Sequence, residues 1–96
     1  MNEIIIKPEG DLNYDYVEKH REIYMKDIQM NLRVKGSLII DLANVNKLTA
    51  SALSMFLKLK KITLEKSAEI QIINANKPCY IILEDMKFLD GFNVNK

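Results

Sequence analysis

The hydrophobic and polar positions of the chain switch repeatedly between two periods. Short runs of isoleucine, leucine and valine, bounded by polar residues, predict β-strands. Longer segments in which apolar residues recur every three or four positions predict amphipathic helices. The predicted strands are residues 3–7, 37–42, 69–74 and a short edge strand at 92–94, and the predicted helices run from Leu12 to about Leu32, from Thr49 to about Lys66 and from Pro78 to about Lys87.

The segments between these elements contain turn and capping signals. Residues 8–11 (Pro-Glu-Gly-Asp) predict a turn, and residues 44–48 predict an irregular connection. Thr49 is a candidate N-cap, because its hydroxyl can accept a hydrogen bond from a free N–H of the first helical turn. Pro78 near the start and Gly91 beyond the end bracket the third helix.

The repeated order of strand, helix and strand predicts an α/β fold with parallel strand pairs and right-handed crossovers. We expect one domain over residues 1–96, with a four- to five-stranded mixed sheet and about three helices packed mainly on one side. The run Leu38–Leu42 is expected at the centre of the sheet. Its unbroken apolar residues are typical of a strand that is covered on both faces.

Composition limits the classes of function. A chain of 96 residues, 48% hydrophobic and 28% charged, suits one domain and is too short for two. The net charge of +1 gives no electrostatic reason to expect nucleic acid binding. Three consecutive isoleucines near the N-terminus are too few for a signal peptide or a spanning helix, so no membrane insertion is expected. The single cysteine suits a reducing compartment, and we expect a cytoplasmic location.

The residues that usually carry catalysis or bind metals are isolated in this sequence. His20 lies among charged residues of the first helix and is interpreted as a solvated surface histidine. Cys79 follows Pro78 without any second cysteine or nucleophile motif, so it is interpreted as a buried or half-buried structural thiol. The three glycines are too scattered to build a phosphate-binding loop. The sequence therefore predicts no catalytic residues, no metal site, no cofactor and no enzymatic activity.

The segment 38–57 resembles the signature of STAS domains, the sulphate-transporter and anti-sigma-factor-antagonist family. That signature has an apolar strand ending in Asp-Leu, a short connection, and Asp-Ser-x-Gly-Leu at the start of a helix. Segments 10–12, 70–76, 78–83 and 88–94 resemble other parts of the family in the same order. The resemblance covers nearly the whole chain and implies a STAS-like fold and a role as a regulatory binding module.

The chain departs from the family at the start of the second helix. Thr49 stands in the place of the family's Asp, Ala50 in the place of the phosphorylatable Ser, and Ala52 in the place of the Gly. In anti-sigma factor antagonists, phosphate on that Ser switches off binding to a partner kinase. Ala50 has no hydroxyl, so the resemblance does not carry this switch over. Thr49 and Ser51 remain candidates for phosphorylation near a helix N-terminus, and the alternative is that both only cap the helix.

The second helix carries two apolar stripes. Leu53, Phe56, Leu57 and Leu64 share one face and are expected in the core, whereas Met55, Leu59 and Ile62, bordered by Ala52, lie more than 90° away from Leu53. The second stripe is either covered by a neighbouring helix or forms a docking surface. The resemblance places the family's recognition site at this helix start. The candidate partner-binding residues are therefore Thr49, Ala50, Ser51, Ala52, Met55, Leu59 and Ile62.

The first helix presents a similar pair of alternatives. Tyr16, Ile23 and Met30 recur on a side well away from Val17 and Ile28. This stripe is either a second buried edge or a contact with another chain, and a homodimer is one form that such a contact can take.

The residues and the resemblance together favour a cytoplasmic protein-binding module similar to an anti-sigma factor antagonist, which docks on an ATP-binding anti-sigma kinase. The alternative is a STAS-like accessory subunit that packs on the ATPase of an ABC-type lipid transporter. Ala50 slightly favours this alternative, because such a subunit does not need a phosphorylation switch. Neighbouring genes distinguish the two functions. An anti-sigma factor antagonist predicts sigma-factor and kinase genes nearby, whereas a transporter subunit predicts permease and ATPase genes.

Overall fold

The computed structural model describes residues 2–95 as five strands and three helices. The elements are β1 (Glu3–Ile6), β2 (Glu9–Leu12), α1 (Tyr14–Asn31), β3 (Ser37–Asp41), β4 (Asn44–Leu48), α2 (Ala50–Glu65), β5 (Glu69–Ile73) and α3 (Lys77–Asp85). The α/β class, the three helices and their approximate bounds confirm the expectation from sequence.

Strands β1, β3 and β5 form a three-stranded parallel sheet in the order β1-β3-β5. Ile40 of the central strand lies in register with Ile6 on one side and Ile72 on the other, which confirms the central position of β3. The expected mixed sheet is not observed, because every strand pair among residues 2–95 is parallel. The reason is that a helix returns the chain between successive strands of this sheet, so that each strand runs in the same direction.

Strands β2 and β4 form a separate two-stranded parallel sheet, so the five strands do not share one sheet. The predicted turn at residues 8–11 and the predicted connection at residues 44–48 are therefore wrong. The sequence signal is weak there, because most residues of β2 and β4 are polar or exposed, and Leu12, Val45 and Leu48 are the buried residues of these two strands. The pairing joins residues that are distant in the sequence, and a local pattern does not report it.

The three-stranded sheet has one covered face and one open face. Ile4, Leu38 and Ile40 point into the core, whereas Ile5 on the opposite face is 57% exposed and Ile39 is only half-buried. Helix α1 packs on β1 and on α2, and α2 packs on β5, so that these helices cover one side. The one-sided packing confirms the prediction, but the expectation that β3 is covered on both faces is wrong.

The C-terminal segment joins the core without forming a strand. Val94 makes a single isolated bridge to Ile72, so the predicted edge strand at residues 92–94 is wrong. Phe88 and Phe92 anchor the segment instead. Both rings are buried, and they stack with centroids 4.9 Å apart.

Lys66, at the end of α2, caps the C-terminus of α1. Its Nζ donates hydrogen bonds to the backbone carbonyl oxygens of Ile28 (2.9 Å), Gln29 (2.7 Å) and Leu32 (2.6 Å). The Ile28 oxygen also accepts the Leu32 N–H, and all three carbonyls lie at the C-terminal end of α1, where backbone donors become scarce and the helix dipole favours a cation. One long side chain thus joins the ends of the two packed helices.

The substitution Lys66→Met is expected to lower the free energy of unfolding by about 1–3 kcal/mol, because it leaves the carbonyls without a charged donor. Urea unfolding followed by circular dichroism measures this change. Lys61→Met, at an exposed lysine of the same helix, is the matched control and should have little effect. Equal stability of both variants would show that the Lys66 cap contributes nothing.

The isolated histidine and cysteine occupy different surroundings. Cys79 is fully buried, as predicted, and burial raises the pKa of its thiol. His20 is half-buried, and its ring stacks on Tyr16 at 3.9 Å and on Tyr24 at 5.8 Å between centroids. The predicted solvated histidine is therefore wrong, because aromatic side chains one helical turn away on each side cover the ring.

Candidate functional site

Thr49 connects the start of α2 to the end of β2. Its Oγ1 accepts a hydrogen bond from the Ala52 N–H at 3.4 Å and donates one to the Leu12 carbonyl oxygen at 2.7 Å. The predicted N-cap is confirmed. The hydroxyl is engaged in both bonds, which fixes the direction in which α2 leaves the smaller sheet.

Ala50 and Ser51 form the first turn of α2 after this cap. Ala50 is exposed at the first helical residue, and Ser51 is half-buried. The exposed position therefore has no hydroxyl, and Ser51, which has one, is partly covered.

A groove of about 330 Å³ runs between the first turns of α1 and α2. We call it the helix-start groove. Its lining residues are Tyr14, Val17, Glu18, Arg21, Ala50, Ser51, Ser54, Met55 and Lys58. Val17 and Met55 are buried and form an apolar floor, whereas Tyr14, Ser54 and Lys58 are exposed at the rim. A wide groove with an apolar floor and a polar rim suits contact with another protein surface.

Charges of both signs line the α1 side of the groove. Arg21 lies 3.9 Å from the Glu18 carboxylate and 3.8 Å from the Glu22 carboxylate, as long ion pairs on the helix surface. The hydrogen bond between Tyr14 and the Glu18 carboxylate raises the pKa of the Tyr14 hydroxyl, so that the group stays protonated as a donor. Lys58 brings a second cation from the α2 side.

The structure separates the sequence-predicted site residues into two groups. Ala50 and Ser51 line the groove, and the half-buried Thr49 directly precedes them in the chain. Ala52, Leu59 and Ile62 of the second stripe are buried and lie outside the groove, so their interpretation as a docking surface is wrong, whereas the buried Met55 forms part of the groove floor. The reason is that α2 packs against both α1 and β5, and the stripe belongs to the core that these elements share.

The burial of this stripe also changes the expected core face of α2. Leu53 and Phe56 are buried as predicted, but Leu57 and Leu64 are exposed. The buried surface of α2 faces both α1 and the sheet. The core face predicted from sequence was rotated away from this surface, so that one edge of the predicted face is exposed to solvent.

The sequence reasoning missed three residues that line the groove, namely Glu18, Arg21 and Ser54. Glu18 and Arg21 follow Tyr14 at helical spacing on α1, and Ser54 follows Ser51 at similar spacing on α2. Such spacing places each set on one face of its helix. The signal was available for each helix separately, but only the packing of α1 against α2 brings the two faces together.

The Asp41 carboxylate connects the ends of β3 and β5. Its Oδ1 accepts hydrogen bonds from the Ala43 N–H at 2.9 Å and from the Asn74 side-chain amide at 3.1 Å. The bond from the Ala43 N–H is the main cause that lowers the pKa of Asp41 below its ordinary value of 3.8, and the Asn74 amide and the Lys7 charge act in the same direction. The charged carboxylate is therefore preferred in the folded chain.

This preference predicts a pH dependence of stability. A carboxylate with a lowered folded pKa stabilises the fold at pH values above its unfolded pKa, and the stabilisation is lost as the pH falls through the folded value. We expect Asp41→Asn to reduce stability at neutral pH and to flatten the decline of stability between about pH 5 and the acid limit. Urea unfolding at a series of pH values measures the slope. An unchanged slope in the variant would contradict the prediction.

No helix among residues 2–95 is long and apolar enough to cross a membrane. The same residues contain no cluster of three or more His, Cys, Asp or Glu side chains that could hold a metal ion.

Comparisons with known proteins give a match at the level of the fold. No protein-family model matches the chain, and no curated protein matches it in sequence. Among solved structures, the unphosphorylated form of the anti-sigma factor antagonist SpoIIAA matches with a TM-score of 0.75 and 12% sequence identity. The match covers 99% of this chain and 80% of that one. The chain therefore shares its fold with an anti-sigma factor antagonist, as the resemblance to STAS domains implied.

Proposed function

We propose that residues 1–96 form one STAS-like domain that acts as a non-catalytic, cytoplasmic regulatory module and binds a protein partner at the helix-start groove. The fold shared with an anti-sigma factor antagonist supports a regulatory binding role. The partner proposed is an ATP-binding protein of the anti-sigma kinase type.

The observation that carries this proposal is the composition of the groove itself. Tyr14, Arg21 and Lys58 stand around an apolar floor beside the exposed Ala50. Tyrosine and arginine are the side chains that most often supply binding energy in protein interfaces, because each combines a large contact area with polar groups. An exposed helix surface does not need a tyrosine or an arginine in order to be stable.

Charge supports an acidic surface on the partner. The segment 44–66 contains five lysines and one glutamate. Some of these lysines have internal roles, as Lys66 does at α1, but Lys47, Lys58 and Lys61 are exposed. A local positive excess raises the rate at which an acidic surface is encountered.

The arrangement of hydroxyls supports binding without a phosphorylation switch. Thr49 uses its hydroxyl in the cap, and Ala50 has none. We propose that Thr49 and Ser51 stabilise the start of α2 and are not modified.

The second candidate function is an accessory subunit of an ABC-type lipid transporter, which would use the same groove on the transporter ATPase. Ala50 is the specific observation that favours it, because this role needs no phosphorylatable hydroxyl at the exposed position. The two functions differ in the ATPase that is bound and agree in the docking surface.

The test is affinity capture of the partner from the native organism, followed by its identification and a binding measurement with purified proteins. We expect an ATP-binding kinase, or a transporter ATPase for the second candidate. Lys58→Glu should weaken binding about tenfold, as expected for a charge reversal in a docked interface. Incubation of the complex with ATP should leave the intact mass of this chain unchanged.

Lys61→Glu is the matched control, because it makes the same charge change at an exposed lysine of α2 outside the groove. Equal loss of binding in both variants would indicate non-specific attraction. Unchanged binding in the Lys58 variant would contradict the proposed docking surface. A gain of one phosphate at Ser51 or Thr49 would restore a phosphorylation switch at a shifted position.

A further inference from the structure

Strand β1 forms an open edge of the three-stranded sheet. β3 pairs with it on one side, and no strand among residues 2–95 pairs with it on the other. The Asn2 carbonyl oxygen accepts a hydrogen bond from the Ser37 N–H of β3, so alternation directs the backbone groups of Ile4 and Ile6 to β3 as well. The backbone groups of Glu3, Ile5 and Lys7 consequently point towards the open edge.

The same three residues expose their side chains. Their order, Glu3-Ile4-Ile5-Ile6-Lys7, places opposite charges at equal distances on either side of Ile5. Two such strands placed antiparallel, with Ile5 opposite Ile5, bring Glu3 of each copy against Lys7 of the other. Both strands then direct their free backbone groups at each other, which allows about six backbone hydrogen bonds.

We propose that β1 is a symmetric docking edge for a second copy of this chain, which joins two three-stranded sheets into one continuous sheet. A two-fold interface must be self-complementary, and this edge is complementary to itself in hydrogen bonding and in charge. An edge strand that carries charges of one sign would repel its copy, whereas the signs on this edge attract.

The flank of α1 above this edge also fits a second copy. Helix α1 packs on β1 below it and on α2 beside it. On a side well away from the buried Val17 and Ile28, it carries Ile23 and Met30, which are 61% and 71% exposed. The two-fold axis of the paired strands is perpendicular to the sheet, so the α1 helices of both copies lie on the same face and side by side. Burial of these two side chains adds apolar area to a short strand pairing that is weak on its own.

The other charges near the edge are compatible with the pairing. Lys7 lies near Asp41 of the adjacent strand, whose pKa it helps to lower. In the dimer, Lys7 stands between Asp41 and Glu3 of the second copy, and the three charges alternate in sign. The helix-start groove lies on the flank of α1 that faces α2, so the dimer leaves it open.

The experiment is sedimentation equilibrium of the full chain over a series of protein concentrations, with charge variants at the edge. The unaltered chain should show a reversible equilibrium between monomer and dimer. Glu3→Lys places like charges opposite each other in both symmetry-related pairs and should weaken dimerisation about tenfold or more. The double variant Glu3→Lys/Lys7→Glu restores opposite charges in the same register and should recover most of the loss. Recovery is incomplete because the new carboxylate lies near Asp41.

A second pair of variants tests the helix flank. Ile23→Lys should weaken the dimer, whereas Ile81→Lys, at an isoleucine of α3 that is 43% exposed, should not. Both positions are exposed, so the melting temperature of each variant should match that of the unaltered chain at a protein concentration low enough to keep all three monomeric. A monomer at every concentration would overturn the proposal. So would a dimer that Glu3→Lys leaves intact, a double variant that recovers nothing, or equal effects of the two lysine substitutions.

Discussion

Replacement of Ile40 by Asp is expected to unfold the chain. Ile40 is fully buried at the centre of β3, between Ile6 and Ile72 on the neighbouring strands. A carboxylate in this position has no donor or cation to replace water, and its burial costs several kcal/mol. That cost is comparable with the total stability of a domain of this size. We expect loss of the cooperative thermal transition measured by circular dichroism.

Ile5→Asp is the matched control for this substitution. It makes the same change on the adjacent strand, but Ile5 lies on the open face of the sheet, where a carboxylate remains hydrated. This variant should retain a cooperative transition. A folded Ile40→Asp variant would contradict the central, one-sided core described above.

The second large effect is expected at Leu59. This residue is fully buried where α1 packs on α2, so Leu59→Ala leaves a cavity and should lower the free energy of unfolding by about 2–5 kcal/mol. Urea unfolding measures the loss. Leu57→Ala is the control on the same helix, since Leu57 is 51% exposed and its truncation should cost well under 1 kcal/mol.

The Leu59 result also tests the assignment of the second stripe of α2 to the core. A core residue gives a large loss of stability and leaves the partner affinity of the folded fraction unchanged. A docking residue would give the reverse, with normal stability and weakened binding. The second outcome would show that α1 moves away from α2 when the partner binds.

The sequence was sufficient to predict those elements that are determined by residues close together in the chain. The apolar run of β3 predicted a central strand, and Leu38 and Ile40 are fully buried there although Ile39 on the other face is only half-buried. Thr49 predicted the start of α2, because an N-cap depends on the few residues that follow it. Cys79 was predicted as a structural thiol because no partner residue surrounds it in the sequence.

The candidate site was predicted only in part. The start of α2 came from the resemblance and agrees with the position of the helix-start groove, but Arg21 was missed and Leu59 was assigned to the wrong surface. Both errors have one cause. An apolar stripe on a helix does not specify what covers it, and here one stripe of α2 belongs to the core shared with α1 and β5, while Ile23 of α1 remains exposed.

The remaining features depend on contacts between distant segments. Strands β2 and β4 carry few buried residues, and their pairing follows from the path that the larger sheet imposes on the chain. Half-burial of His20 follows from the stacking of Tyr16 and Tyr24 around it. A hydrophobic pattern shows which side chains of a segment must be buried. It does not show which other segment covers them, because that depends on the one arrangement in which the apolar faces of all segments are covered together.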